Sequence, residues 1–191
     1  PLVPSLSMFE RYQDNDAWTW EHQALVRARF VAGDPDVAGE VETIRHEVLC
    51  LARDPAEVAR DVQKMRDRMR EHLLPNEKGR EGEFHLKQGR GGIVDIEFMV
   101  QYAVLAWSCR YPELLRYTDN IRILDELQNA GLIAGEDVTS LQEAYKAYRA
   151  AAHRLALQNQ PGKVSGDQFH DFRHGVIKLW QQVLPPQEPI P

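Results

Sequence analysis

The sequence predicts an all-α protein, an irregular bundle of about seven helices. Three observations predict it. Apolar residues recur at steps of three and four along most of the chain. No segment alternates convincingly as a strand. Asp34-Pro35 and Asp54-Pro55 each place a capping side chain directly before a first-turn proline, a paired helix-start signal.

Ser5 or Ser7 can cap a short first helix carrying Met8, Phe9 and Tyr12. Asp16 can cap the next, through Trp18, Trp20, Leu25 and Phe30, with Gly33 ending it. Val37, Val41, Ile44, Val48 and Leu51 make one helix face. Val58, Val62, Met65 and Met69 make the next stripe, on a helix whose other side is crowded with charge. Leu74 to Glu83 is polar and reads as an exposed loop. A glycine-dense segment follows and runs into a helix with Ile93, Ile96, Val100, Ala103, Val104 and Trp107 on one side. Tyr111-Pro112 breaks that helix. Ile121, Leu124 and Leu127 mark another, closed by Gly131. Val138 to Leu155 is a long helix, Gln160-Pro161-Gly162 a turn, and Phe169 to Trp180 the last helix. From Pro185 onward the chain reads as a frayed proline-rich tail.

Composition narrows the function classes. Of 191 residues, 43% are apolar, enough for a buried core, and net charge is −6 with no long basic run. A nucleic-acid partner is therefore disfavoured, since that needs a clustered cationic surface. No apolar run approaches the roughly 20 residues of a membrane span, and no signal peptide is visible. Cys50 and Cys109 show no metal-site spacing and read as free thiols of a reducing cytoplasm. His170 and His174 lie one turn apart without a third nearby ligand, so no metal is assigned to the chain. The opening Pro1-Leu2-Val3-Pro4 reads as a cut within a longer protein.

The segment Lys87-Gln88-Gly89-Arg90-Gly91-Gly92-Ile93-Val94-Asp95-Ile96-Glu97-Phe98 is the chemically richest. Its glycines permit close backbone approach. N–H groups at a following helix start favour an anion, and Lys87 and Arg90 add charge. Lys87, Arg90, Gly91, Gly92 and Asp95 are thus candidates for a nucleotide or phosphate cleft. The alternative is a tight turn with the acids compensating the helix dipole. Asp95 and Glu97 stand roughly 200° apart on a helix and cannot share a face. Asp95 is expected toward the loop and Glu97 toward an arginine. The segment from Trp18 to Arg29 is dense in large and polar side chains; it either packs and pairs locally or reaches a neighbouring domain.

Ala17-Trp18-Thr19-Trp20-Glu21-His22-Gln23-Ala24-Leu25-Val26-Arg27-Ala28-Arg29 resembles a signature of the bacterial glutamine-synthetase adenylyltransferases, which are also adenylyl-removing enzymes. Gly91 to Phe98 with Gln101-Tyr102 is similar to a second hallmark of that family. Asp119 to Leu124 and His153 to Gln158 also fit. The resemblance implies the helical domain that follows a nucleotidyltransferase domain in the C-terminal, adenylylating half. Residues 1–33 would then be remnant and linker helices of the preceding domain, 34–184 the helical bundle, and 185–191 a disordered tail. It implies a cytoplasmic enzyme of nitrogen metabolism that moves AMP from ATP to a tyrosine of glutamine synthetase, with Mg²⁺. The family's Gly-Ser and Asp-x-Asp metal pattern is absent, so no catalytic residue is assigned here. The fragment is expected to be inactive alone and to bind neither ATP nor Mg²⁺ tightly. Trp20, Glu21, Arg27, Arg29 and Glu97 are the domain-bridging candidates. The alternative role is a regulatory coupling module for the P-II protein, glutamine or glutamine synthetase.

Overall fold

The structure, a computed structural model, describes residues 4–74 and 82–184. Within them the chain forms eight α-helices and one two-stranded ribbon. The helices are α1 (Leu6–Asn15), α2 (Thr19–Arg27), α3 (Pro35–Leu49), α4 (Pro55–Leu73), α5 (Ile93–Trp107), α6 (Asn120–Asn129), α7 (Gly135–Leu157) and α8 (His170–Val183). A 3₁₀ turn spans Pro112–Leu115. The expectations for residues 1–3, for most of the loop after Leu74 and for the tail from Pro185 lie outside the described residues.

The start signals work as the sequence suggests. Ser5, Asp34 and Asp54 each accept a first-turn N–H with their side chains. Asp16 does not cap α2. It ends α1, and α2 starts after Trp18, where Glu21 reaches back to the Trp18 N–H at 2.9 Å. α2 also stops at Arg27, well before Gly33. Its last carbonyls do not face water. The buried Arg45 donates from Nε to the Leu25 carbonyl (2.9 Å), and from its Nη atoms to the carbonyls of Val26 (3.3 Å) and Leu115 (3.4 Å). One guanidinium thereby satisfies helix-end acceptors from two elements.

α5 is the axis of the bundle. Ile93, Val94, Ile96, Phe98, Met99, Val100, Ala103, Val104 and Leu105 are all buried, so the helix is covered around most of its circumference, not on one side. It packs against α2, α4, α6, α7 and α8. The buried stripe on α4 also differs from the sequence expectation. It runs Val58–Val62–Arg66 at i, i+4, i+8, and the charged face supplies its last buried member.

The ribbon is the element that periodicity misses. β1 (Glu83–His85) pairs antiparallel with β2 (Lys163–Ser165), Phe84 opposite Val164. Two runs of three residues are too short to show alternation. Above it Tyr148 packs edge-on to Phe84 and Phe169, with ring centroids 5.5 and 5.4 Å away.

His22 joins three elements. Its Nε2 lies 3.0 Å from the Gln13 carbonyl and its Nδ1 3.3 Å from Arg53 Nη2, so it carries its proton on Nε2. Burial pushes the imidazole below its ordinary pKa; the Gln13 carbonyl opposes this and the Arg53 charge reinforces it. The unfolded chain therefore takes up the proton first as pH falls. Stability from neutral His22 is complete above the ordinary histidine value of about 6.5 and is lost below it. Melting temperature between pH 7 and 5 should fall more steeply in the wild type than in His22→Gln; parallel slopes in a calorimetric series would contradict this.

Candidate functional site

The glycine segment connects β1 to α5 as a closed loop. Its main chain is largely bonded to itself. The Gly89 N–H donates to the His85 carbonyl (2.8 Å) and the Gly92 N–H to the Gly89 carbonyl (3.0 Å). Ile93 and Val94 donate back to Leu86 and Lys87, at 2.9 and 3.1 Å. The Gly91 N–H donates to Asp95 Oδ2 at 2.7 Å. The amides that the sequence offers to an anion are thus used internally, and the turn-and-cap arrangement describes the backbone. Gly91 has φ +76°, and a Cβ there would stand 2.6 Å from the Arg173 carbonyl of α8. A Cβ at Gly92 would meet the Leu86 carbonyl at 2.7 Å. Only hydrogen fits at either place.

Asp95 fastens the loop to α4. Its Oδ1 accepts from Arg66 Nε at 2.6 Å and from Arg70 Nη2 at 3.2 Å. Arg66, fully buried, also donates to the Gln88 carbonyl (2.7 Å) and to Gln88 Oε1 (3.2 Å). Burial pushes the Arg66 guanidinium below its ordinary value, and the Asp95 charge counters that. The group stays protonated. Two guanidiniums and the Gly91 N–H thus converge on one carboxylate, and Asp95 is the tether that holds the loop to α4.

Two side chains leave the loop. Lys87 and Arg90 are exposed, and among the described residues neither side chain has an ion-pair partner. Arg173 Nε holds the Arg90 carbonyl at 3.0 Å, fixing the point from which that side chain departs. Beside Arg90 lies a groove of about 370 Å³ between α4, the loop and α8, lined by Arg70, Arg90, Trp180 and Gln181 among others.

Glu97 faces the opposite way, as the helix angle requires. Its Oε1 accepts from the Tyr145 hydroxyl at 2.9 Å and lies 3.5 Å from Arg27 Nη1. Asn120 and Arg149 also donate to the Tyr145 hydroxyl, at 2.9 and 3.3 Å. One turn on, Gln101 accepts from Gln23 at 3.0 Å. Arg27 and Glu97 are therefore partners of each other, joining α2 to α5. Glu21 accepts from the Tyr12 hydroxyl and the Trp18 N–H. Arg29 is exposed, and Trp20 and Trp18 are 48% and 70% exposed. The structure brings Gly91, Gly92 and Asp95 together with Lys87 and Arg90. It joins Arg27 to Glu97 between α2 and α5, keeps Glu21 at the start of α2, and sets Trp20 beside α4 and Arg29 beside α3. Arg66 and Arg45 escape sequence reading because nothing distinguishes a buried arginine from its solvated neighbours, and the role of Gln88 follows from that of Arg66.

Asp95→Asn keeps the shape but leaves Arg66 charged, buried and unpaired, and should cost about 3–5 kcal/mol of unfolding free energy; urea denaturation measures it. Gly91→Ala should also destabilise, because the loop must withdraw from α8. A melting temperature equal to wild type for either variant would contradict the clamp.

Residues 63–163 match the family model described as GlnD PII-uridylyltransferase, and residues 1–44 match that of glutamate-ammonia ligase adenylyltransferase. The chain is 55% identical to the bifunctional glutamine synthetase adenylyltransferase/adenylyl-removing enzyme of Pseudomonas aeruginosa, over 95% of this chain and 20% of that protein. It is 53% identical to the same-named enzyme of Pseudomonas syringae pv. tomato, over 95% of this chain and 19% of that protein. For that of Acinetobacter baylyi the values are 50%, 97% and 20%. The chain spans about a fifth of the length of the curated relatives it matches. The model described as GlnD PII-uridylyltransferase covers just more than half of the chain, and by its alignment, nearly end to end, with about a fifth of the curated enzymes, the chain belongs to the glutamine synthetase adenylyltransferase/adenylyl-removing enzyme family.

Proposed function

We propose that this chain is the helical part of an enzyme that transfers AMP from ATP to a tyrosine of glutamine synthetase, in the half that adenylylates. Family membership supports the reaction. The observation in this chain that supports a role in it is the pair Lys87 and Arg90, without an ion-pair partner among the described residues and projecting from a loop that Asp95, Arg66 and Arg173 hold in place. A preorganised cation of this kind suits a phosphate or the leaving pyrophosphate. ATP and Mg²⁺ would be held by a nucleotidyltransferase domain preceding this chain, because the family's Gly-Ser and Asp-x-Asp pattern is absent here. Residues 1–33 would be the linker to that domain, and the compartment the cytoplasm.

A second reading rests on a different surface. Trp18 before α2 and Phe30 and Val31 after it are 70%, 52% and 81% exposed. Large apolar side chains exposed at both ends of α2 suit docking or coupling, whether to glutamine synthetase, the P-II protein or another part of the same polypeptide. The bridging roles of Trp20, Glu21, Arg27, Arg29 and Glu97 belong to this reading.

Arg90→Ala in the full-length enzyme should lower AMP transfer about tenfold or more, the loss of one charge-assisted contact of roughly 1.5–3 kcal/mol. Melting temperature should be nearly unchanged, since the side chain is exposed. Radiolabelled AMP incorporation into glutamine synthetase measures the first and calorimetry the second. Transfer unaffected by both Arg90→Ala and Lys87→Ala would overturn the first reading.

A further inference from the structure

The chain has only two cysteines, far apart in sequence, and the fold brings them to one place. Cys50 caps the C-terminal end of α3, and Cys109 follows the C-terminal end of α5. The junction between these ends is tight. The buried Ser108 hydroxyl donates to the carbonyl of Leu49 at 2.6 Å. Cys50 Sγ lies 3.7 Å from the carbonyl oxygen of Ser108. That carbonyl belongs to the peptide bond entering Cys109, so Cys50 Sγ stands no more than about 6.5 Å from the Cys109 Cα. Rotation about the two Cα–Cβ bonds, with the play of a turn residue beyond each helix end, covers the rest of the approach to an S–S bond.

The two sulfurs differ in access. Cys109 is exposed, and Cys50 is half-buried. Burial pushes the Cys50 thiol up, the neighbouring Cys109 adds to this, and the Arg53 guanidinium opposes it. Arg53 is fixed there by the carbonyls of Val48 (2.7 Å), Leu49 and Leu51 (both 3.2 Å), within electrostatic reach of both sulfurs.

We propose that Cys50 and Cys109 are a redox-responsive pair, which hydrogen peroxide converts to an intramolecular disulfide joining α3 to α5. The exposed Cys109 thiolate attacks a peroxide oxygen, giving a sulfenic acid and hydroxide. The Cys50 sulfur then attacks the Cys109 sulfur. The S–S bond forms, the S–O bond breaks, and the departing hydroxide takes the Cys50 proton as water. Two thiols are oxidised and one peroxide is reduced to two waters. A dithiol reverses the step. Thiols at rest and a disulfide only under oxidant is the form such a pair takes in a reducing compartment. α3 packs mainly on α1 and α2, so the bond adds a covalent tie to the axial helix. It uses neither Lys87 nor Arg90 and is independent of the transfer reading.

Treating the 191-residue chain with one equivalent of hydrogen peroxide tests this. Both thiols should disappear from thiol titration, and the intact mass of the monomer should fall by two hydrogens. Peptide mapping should recover Cys50 joined to Cys109, and dithiothreitol should restore both thiols. Cys50→Ser should instead accumulate a Cys109 sulfenic acid that dimedone traps. The oxidised chain should melt roughly 5–10 °C above the reduced one, because the bond closes a long loop. Thiols that survive the peroxide would overturn the proposal. So would a mass raised by added oxygen without the joined peptide, or disulfides formed only between chains. A cross-linked chain melting below the reduced one would also sink it, since the fold would then have to distort to make the bond.

Discussion

The buried pair of Arg66 and Asp95 is the interaction on which the rest of the structure depends. A fully buried guanidinium is tolerable only if its charge and its donors are all answered. Asp95 answers the charge at 2.6 Å, and Gln88 answers two donors with its carbonyl and its side chain. Each answer comes from a different segment, so satisfying Arg66 also fixes where α4, the loop and α5 lie relative to one another. The same carboxylate then caps Gly91. A single unmet valence in this set would expose the others to the desolvation cost that the set exists to avoid.

The two acids of α5 show how two residues of one type acquire separate tasks from angle alone. Asp95 turns toward α4 and the loop, where it is nearly enclosed. Glu97 turns toward α2, α6 and α7, where Tyr145, Asn120 and Arg27 meet it at the edge of solvent. The first arrangement is rigid and closed. The second is a fan of longer contacts around a single oxygen, and Asn120 retains a buried Oδ1 with no partner among the described residues. An axial helix apolar on nearly every face thus carries its polarity at just these points, and each ties it to a different neighbour.

Much of the fold was legible because local chemistry decides it. The caps at Ser5, Asp34 and Asp54, the positive φ at Gly131 and the turn before β2 all follow from residues a few positions apart. The opposed directions of Asp95 and Glu97 follow from helix geometry. What was not legible depends on partners distant in sequence. Val58 and Val62 announce a buried stripe, but its continuation through Arg66 rather than Met65 is set by Asp95, in another helix. The loop's glycines read equally well as an anion cradle or a tight turn. The choice rests on Arg173 and Ile177, which press on Gly91 from the far end of the chain. The ribbon was invisible for the same reason: each strand of three residues exists only through the other.

That dependence on the far end has a consequence during synthesis. A ribosome releases α4, the loop and α5 long before α8. Until then β1 lacks its mate and Gly91 lacks the Arg173 and Ile177 wall that encloses it. The nascent chain therefore presents an aromatic-flanked, half-finished bend whose closure waits on a remote contact, the slow class of folding event. Truncation before α8 would leave this bend permanently ajar, an opening for chaperones or proteases that the finished molecule does not offer.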